Sequence, residues 1–190
     1  MMTDAPLPSV EGQDAAPPIE AITPRSYARP VEIVLIASIV AIDQIAKELV
    51  RRLLPLGGDP FQVIPGLLDL THVQNSGAAF GLLNAADFPY KPLVMIAIAA
   101  IALIAIAMYA TQLGFHERTA RVGLSLILGG AFGNLVDRAL FGHVVDFVDV
   151  YWASTHFWAF NVADAAITIG AILVLLDMTG LGRHHASHSV

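Results

Sequence analysis

The chain has 190 residues, of which 56% are hydrophobic and only 14% charged, whereas about 25% of the residues of a typical soluble domain are charged. It has no cysteine, which excludes disulfide bonds, thiol chemistry and cysteine-ligated metals. The net charge of −6 comes without any lysine-rich or arginine-rich patch for a phosphate backbone, so we predict no nucleic-acid partner. Because the apolar residues are clustered into long runs, the composition indicates one integral membrane domain.

Two polar stretches flank the apolar part of the chain. Residues 1–28 are rich in proline and acidic residues and lack the basic-then-apolar pattern of a cleavable signal peptide, so we predict a disordered N-terminal extension. Residues 183–190 form a predicted polar C-terminal tail that holds three of the seven histidines. The membrane domain is predicted to span residues 29–182. Because no HExxH motif occurs and the histidines do not form a ligand set, we predict no metal site.

The first predicted span covers about residues 31–50, and its second half carries charges. Asp43 and Lys47 are four residues apart and therefore share a helix face. One interpretation is an intrahelical ion pair at the membrane boundary. The other is that the pair faces a functional cleft and orients a group there. The sequence alone leaves both open.

Residues 51–89 form a predicted polar loop outside the membrane, with turn signals at several proline and glycine residues. Within it FQVI (61–64) and LDLTHV (68–73) alternate enough to predict two short strands. The block QNSGAAFGLL (74–83) follows, and its small residues, Gly77 among them, would let another backbone approach closely. Asn75 can both donate to and accept from a peptide group. Taken alone, NSG is typical of a turn.

The second predicted span, at about residues 90–113, is almost wholly apolar and has the length of about 20 residues that crosses a bilayer. The third covers about residues 122–140 and contains Gly129 and Gly133 in a GxxxG spacing, which favours close helix packing. Three polar residues follow Gly130 at helical intervals and so lie on one side of this helix, at its far end. They are Asn134, Asp137 and Arg138.

The segment after the third span predicts another strand, because HVVDFVDV alternates. Trp152 and Trp158, a few residues further on, suit a membrane interface. The fourth predicted span covers about residues 160–178 and begins with Asn161 and Asp164. A favourable interaction with the helix dipole would by itself explain Asp164.

Four spans place both termini on the same side of the membrane, and the arginine distribution slightly favours the cytoplasm. The polar residues of the spans then meet at the opposite, outer surface. Charge at membrane depth costs roughly 2.5–3.5 kcal/mol on insertion scales, so it persists mainly where it is paired or functional. The sequence therefore predicts a site near the outer surface, built from Asp43, Lys47, Asn75, Asn134, Asp137, Arg138, Asp146, Asn161 and Asp164.

Two carboxylates held together can share one proton, so that one activates a water while the other protonates a leaving group. This is aspartic-protease chemistry, and it needs no metal or other cofactor. Four aspartates are available, and the physical arguments alone do not fix the pair. Asp137 lies beside Arg138 and is expected to be salt-bridged, which makes it a poorer proton carrier. Of the four, which also include Asp149, the favoured pair is Asp146, on the loop after the third span, with Asp164, at the start of a helix.

Taken as an ordered set, five blocks of the sequence resemble the successive motifs of the lipoprotein signal peptidase family, also called signal peptidase II. They are DQIAK (43–47), QNSGAAFGLL (74–83), GGAFGNLVDR (129–138), GHVVDF (142–147) and FNVADAAITIG (160–170). The resemblance covers about residues 31–178. It implies an all-α, bacterial inner-membrane aspartyl endopeptidase with four transmembrane helices and a small extracytoplasmic β-cradle. Such enzymes remove signal peptides from prolipoproteins by cutting on the N-terminal side of a diacylglyceryl-modified cysteine.

The resemblance also implies roles for individual residues. The catalytic aspartates of the family correspond to Asp146 and Asp164. The supporting and substrate-binding positions correspond to Asp43, Lys47, Asn75, Gly77, Asn134, Asp137, Arg138 and Asn161. We expect Asn75, Asn161 and Arg138 to hold the substrate backbone. The implied partners are lipidated prolipoproteins and membrane lipid, and we expect a monomer with cytoplasmic termini. One departure is Ala46, where the family often has a hydroxyl residue, and we expect it to matter little.

Three other classes of function predict different sequences. A presenilin-type intramembrane protease needs mid-span aspartates in YD and GxGD contexts, which do not occur. A transporter or channel needs charges near the bilayer midplane and broken helices, whereas the second span is uninterrupted. A scaffold that uses the GxxxG spacing to bind a partner leaves the clustered aspartates unexplained. The peptidase hypothesis accounts for all of these features.

Overall fold

The computed structural model describes residues 29–77, 88–153 and 155–179. The predicted N-terminal extension, the later part of the QNSGAAFGLL block (78–83) and the predicted C-terminal tail lie outside these residues. Within them the chain forms four helices and four short strands. In chain order these are α1 (Pro30–Leu53), β1 (Phe61–Ile64), β2 (Leu68–Asn75), α2 (Lys91–Ala110), α3 (Arg118–Phe141), β3 (Val144–Trp152), β4 (Thr155–His156) and α4 (Val162–Met178).

The four helices lie where the apolar runs predicted them, with ends shifted by a few residues. α1 continues past residue 50 to Leu53, and two arginines in its last turn interact favourably with the helix dipole. Among the described residues, α2 and α3 are long and apolar enough to cross a membrane, with mean hydropathies of 2.7 and 1.3. α1 carries several charged side chains and α4 has only 17 residues. The four-span arrangement therefore stays a prediction.

α3 lies at the centre of the helical part and packs against α1, α2 and α4. The predicted close packing at the GxxxG pair is confirmed, because a Cβ on Gly129 would lie 3.0 Å from the Cβ of Ile39 on α1. On its other side α3 meets α4 through Gly130, whose added Cβ would collide with the carbonyl oxygen of Ala163. Backbones this close bring the polar end of α3 against α1 and the start of α4.

The strands form one antiparallel sheet in the order β1-β2-β3-β4, and the three sequence-predicted strands are all present. In the central pair, Val73 lies opposite Asp146 and Asn75 opposite Val144, with an irregularity between Leu70 and Val73. This register places the end of β2 beside the start of β3. The sheet thus joins the segment that carries Asn75 to the segment that carries Asp146.

β3 lies where the alternation predicted a strand, and all of its first four residues, Val144–Phe147, are buried. Val145 and Phe147 pack with Val50 of α1 in one apolar cluster. Asp146 points to the other side of the strand, as the alternation predicts, yet it is only 2% exposed. The Asp146 side of β3 is therefore turned towards Asn75 and Asn161 and not towards water.

Candidate active site

Asp146 and Asp164 are held in one hydrogen-bonded cluster by three asparagines. The amide groups of Asn161 and Asn75 donate to the two oxygens of Asp146, over 2.7 and 3.0 Å respectively. Asn134 Nδ2 donates to Asp164 Oδ1 over 2.8 Å. Each carboxylate therefore reaches the site from its own element, Asp146 from β3 and Asp164 from α4. The structure brings together the two aspartates that the sequence favours as a pair.

Asn161 contacts both aspartates because it is the N-cap of α4. Its Oδ1 accepts from the backbone N–H of Asp164 over 2.9 Å, and its own N–H donates to Asp164 Oδ2 over 3.3 Å. This reciprocal capping satisfies N–H groups that the helix leaves unpaired. Since Oδ1 is held by the cap, Nδ2 faces Asp146. Asn161 is fully buried. The side chain that caps α4 therefore also orients Asp146 and Asp164.

The turn after β2 holds Asn75 in place. Asn75 Oδ1 accepts from the N–H of Gly77 over 3.0 Å, and Arg138 Nη2 donates to the Gly77 carbonyl over 2.8 Å. The Arg138 guanidinium also interacts electrostatically with Asp164 and Asp146. In this arrangement Asn75 and Asn161 direct their amides at Asp146, so we assign them to positioning that carboxylate. Their expected contact with the substrate backbone stays a prediction.

A fully buried ion-pair group lies behind the site. Lys47 Nζ pairs with Asp43 over 2.7 Å and with Asp137 over 3.1 Å, and all three side chains have 0% exposure. Lys47 also donates to Asn134 Oδ1 over 2.8 Å, which leaves the other end of that amide to donate to Asp164. The ion pair of the first interpretation is present and the orienting role of the second is supported, whereas the location at a membrane boundary stays a prediction. The pair is intrahelical, and it also orients a side chain of the site.

Asp137 is salt-bridged as expected, but the expected partner was wrong. Arg138 turns towards Gly77, whereas Asp137 pairs with Lys47 and with Arg51 Nη2, the latter over 2.8 Å. Adjacent helix residues point in different directions, so neighbours in sequence were poor candidates for a pair. Asp137 Oδ2 also accepts from the backbone N–H of Val145 over 3.2 Å.

The environment of Asp146 suits acid–base chemistry. Burial and the neighbouring Asp164 carboxylate raise the pKa of Asp146 to about 6, while hydrogen bonds from Asn75 and Asn161 oppose that rise. A carboxyl group with this pKa holds a proton near neutral pH more readily than an exposed one. The arrangement therefore supports one protonated and one ionised carboxyl group side by side.

Asp149, the remaining alternative, lies elsewhere on the sheet. It faces Asp69 across the β2–β3 pair and contacts His156 Nδ1 over 2.8 Å. Among the described residues, its side-chain hydrogen bond is to His156 and not to the asparagines of the site. Within the part of the chain that the structure describes, no group of three or more histidine, aspartate or glutamate side chains is arranged to hold a metal ion.

Two supporting side chains were missed by the sequence reasoning. Gln44 Nε2 donates to the Gly133 carbonyl over 3.1 Å and to Asp137 Oδ1 over 3.3 Å. Arg51 pairs with the same oxygen of Asp137. A usable signal existed for Arg51, because it follows Lys47 by four residues and so lies on the same face of α1.

Most of the chain matches a known protein family. Residues 35–180 match the model of a family described as signal peptidase (SPase) II. The lipoprotein signal peptidase of Geobacter metallireducens is 47% identical over 73% of this chain and 84% of its own length. That of Solibacter usitatus is 41% identical over 80% of this chain and 93% of its own length.

Solved structures give the same result at the level of the fold. Two structures described as bacterial membrane enzymes match with TM-scores of 0.70 and 0.71, at 33% and 31% identity. They cover 84% and 81% of this chain, and each is matched over 96% of its own length. The ordered motif blocks, the matching family model and the extended identity to curated relatives together establish that this chain belongs to the signal peptidase II family.

Proposed function

We propose that this protein is a membrane aspartyl endopeptidase that removes signal peptides from diacylglyceryl-modified prolipoproteins, cutting on the N-terminal side of the lipidated cysteine. Family membership and the names of the relatives support the removal of signal peptides from lipoprotein precursors. The observation that carries the aspartyl mechanism is the convergence of Asp146 and Asp164 on Asn161, which bonds to both.

In this proposal Asp164 is ionised and Asp146 holds the proton. The negative charge of Asp164 is one of the causes that raise the pKa of Asp146, which supports this assignment, although the two apparent pKa values belong to the pair. Asp164 takes a proton from water as the water oxygen attacks the scissile carbonyl carbon. Asp146 gives its proton to the carbonyl oxygen, which forms a tetrahedral diol.

The second half of the reaction reverses these roles. The amide nitrogen takes a proton from Asp164 as the C–N bond breaks, and the diol returns a proton to Asp146. The products are a carboxylic acid at the end of the signal peptide and a free amine on the lipidated cysteine, and both aspartates are back in their starting protonation states. Asn134, Asn75 and Asn161 keep both carboxylates in place throughout, so little reorganisation is needed in the transition state.

We further propose that all four helices cross the bacterial cytoplasmic membrane, with both termini in the cytoplasm and the sheet outside. The apolar surface of α2, together with exposed side chains on α1 and α4 such as Ile33, Ile169 and Leu175, supports contact with lipid on each of these helices. The site then lies near the outer surface, where the lipid chains of a substrate stay in the bilayer while its peptide reaches the aspartates. We expect the monomer to be the active form.

The test uses the full-length protein in detergent micelles with two matched precursor peptides. One carries a diacylglyceryl group on its cysteine, and the other has the same sequence with an unmodified cysteine. We expect mass spectrometry to show a new N-terminus at the cysteine in the lipidated peptide only. A folded protein that leaves the lipidated peptide intact, or that cuts it at another bond, would contradict the proposal.

A further inference from the structure

Arg51, at the outer end of α1, has no part in the motif blocks yet is tied to the site. Its Nη2 donates to Asp137 Oδ1 over 2.8 Å, and its side chain is only 18% exposed. Its Nη1 also pairs, over 3.4 Å, with Glu48, whose side chain is 45% exposed and lies outside the buried group. The guanidinium lies over the ring of Phe141, 4.2 Å from the ring centroid. A planar guanidinium held by an ion pair and by an aromatic face has little freedom to move.

The charge of Arg51 completes a buried group that is otherwise unbalanced. Asp43, Lys47 and Asp137 all have 0% exposure. Two carboxylates and one ammonium leave one uncompensated negative charge, and a buried charge without a partner is strongly unfavourable. Arg51 is the second cation in contact with this group. With it the two positive charges match the two negative ones.

Asp137 connects that balanced group to both aspartates of the site. Its Oδ2 accepts from the N–H of Val145 over 3.2 Å, and Val145 immediately precedes Asp146 on β3. The same oxygen pairs with Lys47, which orients Asn134 towards Asp164. A displacement of the Asp137 carboxylate would therefore shift Asp146 through the backbone of β3. It would shift Asp164 through the side chains of Lys47 and Asn134.

We propose that Arg51 is a positioning residue for the peptidase reaction. It balances and fixes Asp137, so that Asp137 holds β3 at Asp146 and Lys47 remains directed at Asn134. Arg51 does not touch the reacting carboxylates, and its effect is exerted through Asp137. The inference rests on the proposed peptidase activity and adds to it a residue outside the motif blocks.

The neighbouring Arg52 provides a matched control. It has the same chemistry, the next position on α1 and a shared partner in Glu48, but it is 73% exposed and, among the described residues, its ion pair is with Glu48 and not with Asp137. An exposed ion pair of this kind contributes about 0–1 kcal/mol. If positive charge at the outer surface were all that mattered, the two arginines would be equivalent. If the contact with Asp137 matters, only Arg51 affects turnover.

The experiment measures kcat and KM on the lipidated precursor peptide for wild type, Arg51→Gln, Arg51→Lys and Arg52→Gln, with thermal unfolding to verify folding. We expect Arg51→Gln to lower kcat by about 10- to 100-fold, the size of effect that slight misplacement of catalytic groups produces. KM should stay within about twofold, because the substrate contacts are intact. Arg51→Lys should recover part of kcat, and Arg52→Gln should behave as wild type.

Wild-type kcat in Arg51→Gln, an equal loss in Arg52→Gln, or a rise in KM at unchanged kcat would overturn the inference. If Arg51→Gln does not fold, Arg51→Lys decides: a reduced kcat at unchanged KM supports the role, and wild-type kcat overturns it. An inactive wild type would instead contradict the proposed function, and with it this role. Active wild type with fully active Arg51→Gln would contradict this inference alone.

Discussion

At the scale of single residues, Asn161 shows how one side chain meets a structural and a functional requirement together. Its oxygen caps α4, and its nitrogen donates to Asp146. An aspartate at this position would still cap the helix, but it would place a third carboxylate against Asp146 and Asp164. The helix cap alone would accept asparagine or aspartate at position 161. The site requires asparagine, because its amide donates to Asp146.

The raised pKa of Asp146 predicts how stability depends on pH. The folded-state pKa of about 6 lies above the ordinary value of 3.8, so folding favours the protonated form. The corresponding stabilisation is complete below pH 3.8 and is lost as the pH rises through 6. Relative to Asp146→Asn, which has no proton to lose there, wild type should lose up to about 3 kcal/mol of unfolding free energy between pH 4 and pH 7.

Unfolding of both proteins in detergent at a series of pH values measures this difference. The constant offset that the substitution itself introduces cancels, because only the change with pH is compared. A difference between the two proteins that stays the same from pH 4 to pH 7 would show that Asp146 does not carry a raised pKa.

Contacts within one helix could be predicted from the sequence, whereas contacts between different elements could not. Helical spacing placed Asp43 with Lys47, and grouped Asn134 with Asp137, because positions on one helix follow from its period. The pairing of Asp137 with Arg51 could not be predicted from helical spacing, because Arg51 lies on a different helix. The relative rotation of two helices depends on the packing of all their side chains. The contact between Asn75 and Asp146 likewise depends on a strand pairing between distant segments.

At the scale of elements, the contact between α3 and α4 relies on glycine at both ends. Gly130 faces the carbonyl of Ala163 near the site, and Gly123 faces Gly170 at the far end of the same contact. Neither position has room for a Cβ, and overpacking of this kind costs about 1–3 kcal/mol. A larger residue at position 130 would push on Ala163, which immediately precedes Asp164. A larger residue at position 123 would push on Gly170, at the end far from the site.

We therefore predict that Gly130→Ala and Gly123→Ala destabilise the protein to a similar extent but differ in turnover. Gly130→Ala should displace the start of α4 and lower kcat by about 10-fold or more, whereas Gly123→Ala should leave the kcat of the folded fraction near that of wild type. Thermal unfolding combined with cleavage kinetics measures both effects. Equal losses of kcat in the two variants would mean that the glycines serve general packing only.

The elements themselves were predictable to the extent that their patterns are local. The apolar runs placed all four helices, and the alternation in FQVI and HVVDFVDV placed strands. The burial of Asp146 was not foreseen from alternation, because a polar residue on one face of a strand normally faces water. Here that face meets Asn161 at the start of α4 and Asn75 at the end of β2, whose amides supply the hydrogen bonds that water would otherwise provide.

At the scale of the whole molecule, the two ends of the helical part have distinct polar groups. The aspartate site occupies one end. At the other, Arg121 binds both oxygens of Glu32 over 2.6 and 2.8 Å, and Arg29 donates to the Phe115 carbonyl over 2.8 Å. In the proposed topology this second end lies in the cytoplasm, and the arginines favour that only slightly, because Arg51, Arg52 and Arg138 lie at the site end. The same proposed topology places the site end outside.

Because the natural chain has no cysteine, this topology is testable with single introduced thiols. Asp59 lies in the exposed connection between α1 and β1, and Gln112 in the exposed connection between α2 and α3. In intact bacterial cells that express each variant, a membrane-impermeant maleimide should label Asp59→Cys directly. Gln112→Cys should be labelled only after the membrane is permeabilised. The reverse pattern, or equal labelling of both in intact cells, would contradict the four-span topology with cytoplasmic termini.

The central claim is that Asp146 and Asp164 together perform the cleavage, and one set of reactions tests it most directly. Wild type, Asp146→Asn, Asp164→Asn and Asp149→Asn are each incubated with the lipidated precursor, after unfolding curves have established that all four are folded. We predict that wild type and Asp149→Asn release the signal peptide at similar rates. Each of the other two variants should lose about 10³-fold or more, the contribution expected of an essential acid–base group. Substantial cleavage by folded Asp146→Asn or Asp164→Asn would contradict the account.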